Sequence, residues 1–276
     1  MKNRNTVLKV SGKVLIYVYA LILLVPMYFI LVTAFKSGSE INTNPLGFPS
    51  ALSLSNFTGA FIKGNMLRTS LNSLIIAVGS VALALLNAVV VTYCVNKLMA
   101  HRIGGIIYSV LIICMFIPSV AGMVTFLLLM QHLHLYNSIW GIILISGVGG
   151  TPINLFMMLG FMHTIPKELE EASYLDGCGD VKSLIYVVVP LLKPALISIG
   201  IFTLVGSWNA LMPNILLLRD PSKYTIQLGL MVFRGTYTIQ YNYMFAAILM
   251  SCIPLIIVYL LFQKHFVEAL AGGLKG

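Results

Sequence analysis

VLIYVYALILLVPMYFILVTAF, residues 14–35, runs for 22 positions without a charged side chain. A membrane-spanning helix needs roughly 20 consecutive apolar residues, because the hydrocarbon layer is about 30 Å thick. Lys2, Arg4, Lys9 and Lys13 precede the run, as basic residues precede the apolar region of a signal peptide. That region, however, is only about 7–15 residues long and ends at a small-residue cleavage site. No such site follows Phe35. The stretch is read as a retained first transmembrane helix.

Outward from it the pattern repeats. Five more charge-free runs follow, approximately 69–96, 104–130, 138–162, 194–218 and 243–263. Each exceeds the length of about 18 residues that marks a candidate span. With 59% hydrophobic and 9% charged residues, the chain lacks the roughly 25% charge of a soluble domain. The expected fold is therefore all-α and integral to the membrane, with six transmembrane helices whose backbones are bonded internally. A net charge of +9 could suggest nucleic acid, but the basic residues lie scattered between apolar runs and form no block. They read as topology signals.

Placing the N-terminus inside assigns eleven Lys and Arg residues to inner segments and six to outer ones, out of 17. The inner excess predicts that both termini are cytoplasmic. The expected organisation is a cytoplasmic segment at 1–13, the first helix at 14–35, a five-helix core at 69–263 and a cytoplasmic tail at 264–276. The connection 163–193 is cytoplasmic on this reading, and no connection is long enough for a separate domain.

Acidic residues are concentrated in that connection. Of eight Asp and Glu residues, Glu168, Glu170, Glu171, Asp176 and Asp180 lie within 13 positions, in HTIPKELEEASYLDGCGD, residues 163–180. Pro166 suits a first helical turn, and carboxylates just after it favour the positive end of the helix dipole. Gly177 and Gly179 are expected to end the helix, Asp180 to cap a second short one, and Pro190 to terminate that. Leu169, Ala172 and Leu175 recur at helical spacing as an apolar stripe. Glu168, Glu171 and Asp176 flank it. Such a ridge suits docking in a groove lined by Arg or Lys. A helix lying on headgroups would carry basic residues instead.

Glu171-Ala172-Ser173, then Gly177, then Pro190 thirteen residues later, resembles the EAA loop of ATP-binding-cassette importer permeases. The lead-in from Ile165 to Ala172 and the Asp176-Gly177 pair are similar to the sugar-importing branch. The tail from Gln263 to Gly276 is similar to the C-terminus of the maltose-type second permease subunit. Two positions depart from the pattern: Ser173 is the third EAA residue, and Ala269 stands where the family usually has Gly. The resemblance implies a type-I importer transmembrane domain at a bacterial or archaeal cytoplasmic membrane. A coupling helix at about 167–176 would seat in an ATPase subunit, with Glu168, Leu169, Glu171, Ala172, Ser173, Leu175, Asp176, Gly177 and Pro190 as coupling residues. It also implies a second, usually different, permease chain, two ATPase subunits that bind ATP and Mg, an extracytoplasmic solute-binding protein and a sugar substrate. The Gly276 end would reach the ATPase dimer.

Three absences bear on the energy source. No P-loop sequence is present, so ATP would have to be bound by a separate subunit. The six runs contain no Asp, Glu, Lys, Arg or His; proton carriers usually place titratable groups there. A sodium-coupled carrier of a small polar solute stays open as the alternative. A membrane enzyme lacks an acid, base and nucleophile in the spans, so no catalytic residue is expected. Buried polarity within the runs is expected to consist of amides, hydroxyls and one indole. Trp208, Asn209, Asn154 and Asn87 are the candidates for the translocation path, although such groups also join helices to one another. Gly147, Gly149, Gly150 and Pro152 predict a kink in the fourth run. Cys94, Cys114, Cys178 and Cys252 show no paired spacing, and His132 and His134 lack the i, i+4 spacing of a helical metal site. Tyr136, Trp140, Tyr237, Tyr241 and Tyr243 fit interfacial belts.

Overall fold

The computed structural model describes the backbone of residues 2–99, 101–118, 120–235 and 239–272, and side chains between Gly12 and Lys264. In chain order the α-helices are α1 (Lys2–Ala34), α2 (Gly38–Thr43), α3 (Ser55–Lys63), α4 (Met66–Leu98), α5 (Arg102–Cys114), α6 (Met123–His132), α7 (Ile139–Val148), α8 (Thr151–Met162), α9 (Lys167–Leu175), α10 (Asp180–Ser183), α11 (Val189–Leu191), α12 (Lys193–Asn209), α13 (Met212–Leu217), α14 (Ile226–Leu230) and α15 (Tyr241–Gly272).

Three of these are long and apolar enough to cross a membrane singly: α1 over Gly12–Ala34, α4, and α15 over Tyr241–Lys264. The bent pair α7–α8 and the pair running from Asp180 to Leu191 and from Lys193 to Asn209 raise the number to five if each counts as one crossing. The run 104–130, expected as one helix, is two short ones. Pro118 falls in the break between α5 and α6, where it cannot donate to a helical ladder and also restrains Ile117. The fifth run was expected to reach residue 218, yet α12 stops at Asn209; Ala210 is extended, and α13 restarts with Pro213 in its first turn. The fourth run bends by 40° between Val148 and Thr151, where Gly149 and Gly150 precede Pro152 as expected.

The chain forms two compact units. The first comprises residues 1–67 and 229–254. Its polar centre is Asn56, whose amide donates to the Ala34 and Lys36 carbonyls at 2.9 and 2.8 Å and accepts from Asn242 at 2.9 Å. The end of α1, the start of α3 and the start of α15 are thereby stapled together. Lys36 is completely buried, and its ammonium donates to the Asn44 and Pro45 carbonyls at 2.6 and 3.1 Å. A buried ammonium requires such acceptors, because desolvation without them is very costly. Tyr243 packs its ring so close to Gly59 that a Cβ there would lie 2.4 Å from it.

The second unit comprises residues 68–228 and 255–276. Its axis is α4, whose buried positions Ser73, Ala77, Ser80, Ala84 and Ala88 form a stripe of small side chains at helical spacing. Small residues let helix backbones approach, which is the usual way that membrane helices associate. The approach is reciprocal against α7: Ile143 fills the space at Gly79, and Leu83 fills that at Gly147. Towards the C-terminal end of α4, Ala84, Ala88 and Tyr93 pack with Met158 and Met162 of α8 and Ala195 and Ile199 of α12.

Candidate functional site

The acidic connection folds into α9, closed at its C-terminal end by its own sequence. Pro166 sits at the N-cap with ψ 130°, one position before the helix begins, so it precedes the first turn that the sequence reading gave it. Glu168 and Glu170 occupy that first turn, where free N–H groups favour negative charge. At the other end Cys178 N–H donates to Ser173 O at 2.9 Å and Gly177 N–H to Tyr174 O at 3.0 Å. That pair of bonds is the Schellman motif, which needs a left-handed residue between them. Gly177 supplies it with φ +82°. Gly179 does not share the role: it is extended, with φ −82° and ψ 174°.

Pro190 also differs from expectation. It does not end the second short helix but lies inside α11, preceded by a π-helical turn at Leu184–Val188. A wider turn accommodates a proline that can donate no ladder bond. The chain turns instead by 76° at Leu192, just before α12. That elbow prevents both segments from lying along one membrane normal.

α9 has two distinct faces. Leu169, Ala172 and Leu175 are exposed, Leu175 to 89%, and so are Glu168, Glu171 and Asp176. The apolar stripe therefore points away from the protein, with carboxylates beside it. The inward face carries Ser173, which is buried, donates to the Glu170 carbonyl at 2.7 Å and lies at hydrogen-bond distance, 2.8 Å, from the buried Ser183 hydroxyl. Only a small side chain fits this junction between α9 and α10. Beside it, Lys97 in the last turn of α4 pairs with Glu170 at 2.9 Å and Asp180 at 3.4 Å and donates to the Tyr174 hydroxyl. Tyr93, one turn back, donates to the Asp180 carbonyl at 3.2 Å. The Tyr174 hydroxyl, 2.6 Å from the Asp180 carboxylate, holds that acid below the usual carboxylate range, with Lys97 adding to the effect.

Of the path candidates, Trp208 is buried near the end of α12, and its indole N–H meets no acceptor among the described residues. Asn209 is exposed and accepts weakly from Gln227 at 3.4 Å. Asn154 is buried in the first turn of α8, and its amide lies beside Gly150. Asn87 donates to the Thr151 hydroxyl at 2.5 Å, tying α4 to the break in the fourth run. Asn87 and Asn154 thus stand at the break in the fourth run, and Trp208 and Asn209 at the end of α12.

Two groups of residues were missed by sequence reading. Tyr93 and Lys97 were hidden inside a span and a charge count; a lone cation at the end of a span, with an acidic loop to answer it, was the available signal. In the second group Asn137, with φ +54°, accepts from the Arg219 and Asp220 N–H groups at 3.0 and 3.1 Å, while its carbonyl accepts from Lys223 at 2.8 Å. Arg219 also donates to the Tyr136 hydroxyl at 2.9 Å. Those partners stand more than 80 residues apart, and nothing local announces them. Tyr237, Gly276 and the rest of the tail beyond Gly272 lie outside the described residues.

Among the described residues the chain is helical, with helices apolar and long enough to cross a membrane and an acidic helix exposed on one connection. Residues 97–272 match the family described as binding-protein-dependent transport system inner membrane component, and the chain belongs to that family. It is 32% identical to the sulfoquinovosyl glycerol transport system permease protein SmoH of Agrobacterium fabrum, covering 96% of this chain and 95% of that one. It is 29% identical to the multiple sugar-binding transport system permease protein MsmG of Streptococcus mutans, covering 94% of each. Its fold matches a crystal structure of a bacterial ABC transporter involved in the import of the acidic polysaccharide alginate, with TM-score 0.84, 25% identity and coverage of 95% and 97%. The chain is a permease subunit of the ABC importer type. A sodium-coupled carrier finds no support in these relationships.

Proposed function

We propose that this permease carries a carbohydrate across a cytoplasmic membrane and is driven through α9 by a separate ATPase that binds ATP and Mg. The observation that carries the reading is the outward stripe of Leu169, Ala172 and Leu175, flanked by Glu168, Glu171 and Asp176 and held by the Gly177 turn. An exposed apolar ridge edged with carboxylates is matched by a groove lined with cations, and burial of such a ridge is favourable only when a partner covers it. Ser173 and Pro190 act on the inner side, shaping the junction behind the ridge. The chain itself performs no hydrolysis. It forms half of the translocation wall, completed by a second permease of different sequence, and receives its sugar from an extracytoplasmic binding protein. Both termini are cytoplasmic. Trp208 and Asn209 contribute to the path by stacking on sugar rings and bonding hydroxyls; Asn154 and Asn87 shape the adjoining helices.

The test is co-purification from native membranes in mild detergent. Wild type should bring down an ATPase subunit, and the double variant Glu171→Arg, Gly177→Asp should lose it. Wild type that carries no ATPase would defeat the reading.

A further inference from the structure

The two ion pairs found among the described residues both belong to Lys97. Its ammonium also lies 4.7 Å from the Tyr174 ring centre and 5.4 Å from that of Tyr93. One cation at the end of α4 therefore holds three side chains of the α9–α10 region: Glu170, Tyr174 and Asp180. Those residues lie behind the exposed stripe, so a partner seated on the ridge leaves the clamp in place. α9 has nine residues, fewer than the roughly 12–15 needed for an isolated helix to persist in water. It moves as a rigid piece only where tertiary anchors fix it: Ser173 with Ser183 is one more, and the Tyr93 hydroxyl, 3.2 Å from the Glu170 carboxylate and 3.3 Å from the Tyr174 hydroxyl, reinforces the clamp from one turn back on α4.

The clamp also points at a destination. Ten residues back along α4, a distance of about 15 Å, Asn87 bonds Thr151 at the break between α7 and α8. The helix between is continuous, and its Ala88 and Tyr93 pack with Met158 and Met162 of α8, the helix that begins at that break. Building on the reading of α9 as the ATPase-docking helix, we propose that Lys97 is a positioning residue that conveys displacement of α9 to α4, and through Asn87 to the broken fourth span. Partly exposed ion pairs contribute little to stability. The function of this one is mechanical: it makes α9 and the end of α4 shift together.

The experiment uses the whole complex in liposomes, trapped with Mg-ATP and orthovanadate, with hydrogen exchange followed over residues 145–155. Wild type should show a change of exchange on trapping. Lys97→Met should keep its ATPase subunit and trap vanadate normally, while the change at 145–155 shrinks by at least about 5-fold, the lower end of typical coupling between sites. Lys97→Arg should restore the response, since the ion pair survives. Glu170→Gln should weaken it, and adding it to Lys97→Met should cost little more, as expected for groups acting as one unit. An unchanged response in Lys97→Met, loss of the ATPase from that variant, or additive effects in the double variant would each overturn the inference. A wild-type complex without an ATPase would remove the docking reading itself, and this inference with it. A wild-type complex that traps vanadate and responds, alongside an equally responsive Lys97→Met, would remove only the clamp.

Discussion

Replacing Gly177 by Ala isolates the contribution of one backbone conformation to the docking helix. A Cβ added at Gly177 would meet no atom within 4 Å, so crowding contributes nothing. What remains is the left-handed φ of +82°, which costs an L-residue about 1–2 kcal/mol. That energy corresponds to a shift of roughly 5- to 30-fold in a local equilibrium. The equilibrium can be read directly, because the Cys178 N–H is protected only while it donates to Ser173 O. Hydrogen exchange in a peptide spanning residues 173–178 should quicken by roughly that factor. Gly177→Asn should fall between Gly and Ala, as Asn tolerates the left-handed region. Gly179→Ala supplies the control: its φ is −82° and its Cβ also meets open space, so exchange should hardly change. If Gly179→Ala were as damaging as Gly177→Ala, the effect could not be attributed to backbone handedness and the reasoning would fail.

Other outcomes follow from the same contacts. Ser173→Ala removes a buried partner from Ser183 and should cost about 1–3 kcal/mol; adding Ser183→Ala should recover part of it, as thermal unfolding in detergent would show. Trp208→Ala should lower uptake while subunit assembly stays intact, and Trp208→Phe should retain more transport, since stacking survives without the indole N–H; uptake unchanged in both would remove Trp208 from the path. Asp220 is held below the usual carboxylate range by N–H donation from Ser222, backbone first, helped by the Ser222 hydroxyl, Lys223 and Arg68. Because its folded pKa is depressed, its stabilisation is complete above the ordinary Asp value of about 3.9 and vanishes as pH falls through the lowered value. Asp220→Asn should accordingly flatten the acid limb of the unfolding profile, while leaving the profile near neutrality shallow.

What could be read from residues alone depended on how locally each feature is encoded. Uninterrupted apolar runs mark membrane helices because lipid imposes one rule on every exposed position, and the runs at 14–35, 69–96 and 243–263 coincide with α1, α4 and α15. Interrupted helices were harder. Gly149, Gly150 and Pro152 announced a bend, yet Pro118 was passed over inside a run that hydropathy scores as continuous. The end of α12 at Asn209 was equally invisible, since Ala210 and Leu211 are as apolar as the helix before them. In the acidic loop the ridge and Gly177 were legible from spacing, as were the flanking carboxylates. The assignment of Glu170 and Tyr174 to the opposite face required knowing what lay behind them. Lys97 sits more than 70 positions from those partners, and a charge count treats it as one basic residue among several.

The exposure of α1 has a consequence for how the chain can vary. Across its most apolar 18-residue window no position is buried, whereas α4 places Ala77, Ala84 and Ala88 against neighbouring backbones. A position that touches only hydrocarbon is constrained by its affinity for oil and not by its outline. In a saturation library, α1 between Leu15 and Val25 should therefore accept any aliphatic or aromatic side chain and even a shuffled order of its own residues, whereas Tyr28 and Phe29, whose rings meet Phe48 and Phe245, should not. Equivalent exchanges at Ala84 or Ala88 should be lost from the population. The two helices have similar hydropathy but would carry opposite substitution records, one scored by composition and the other by volume.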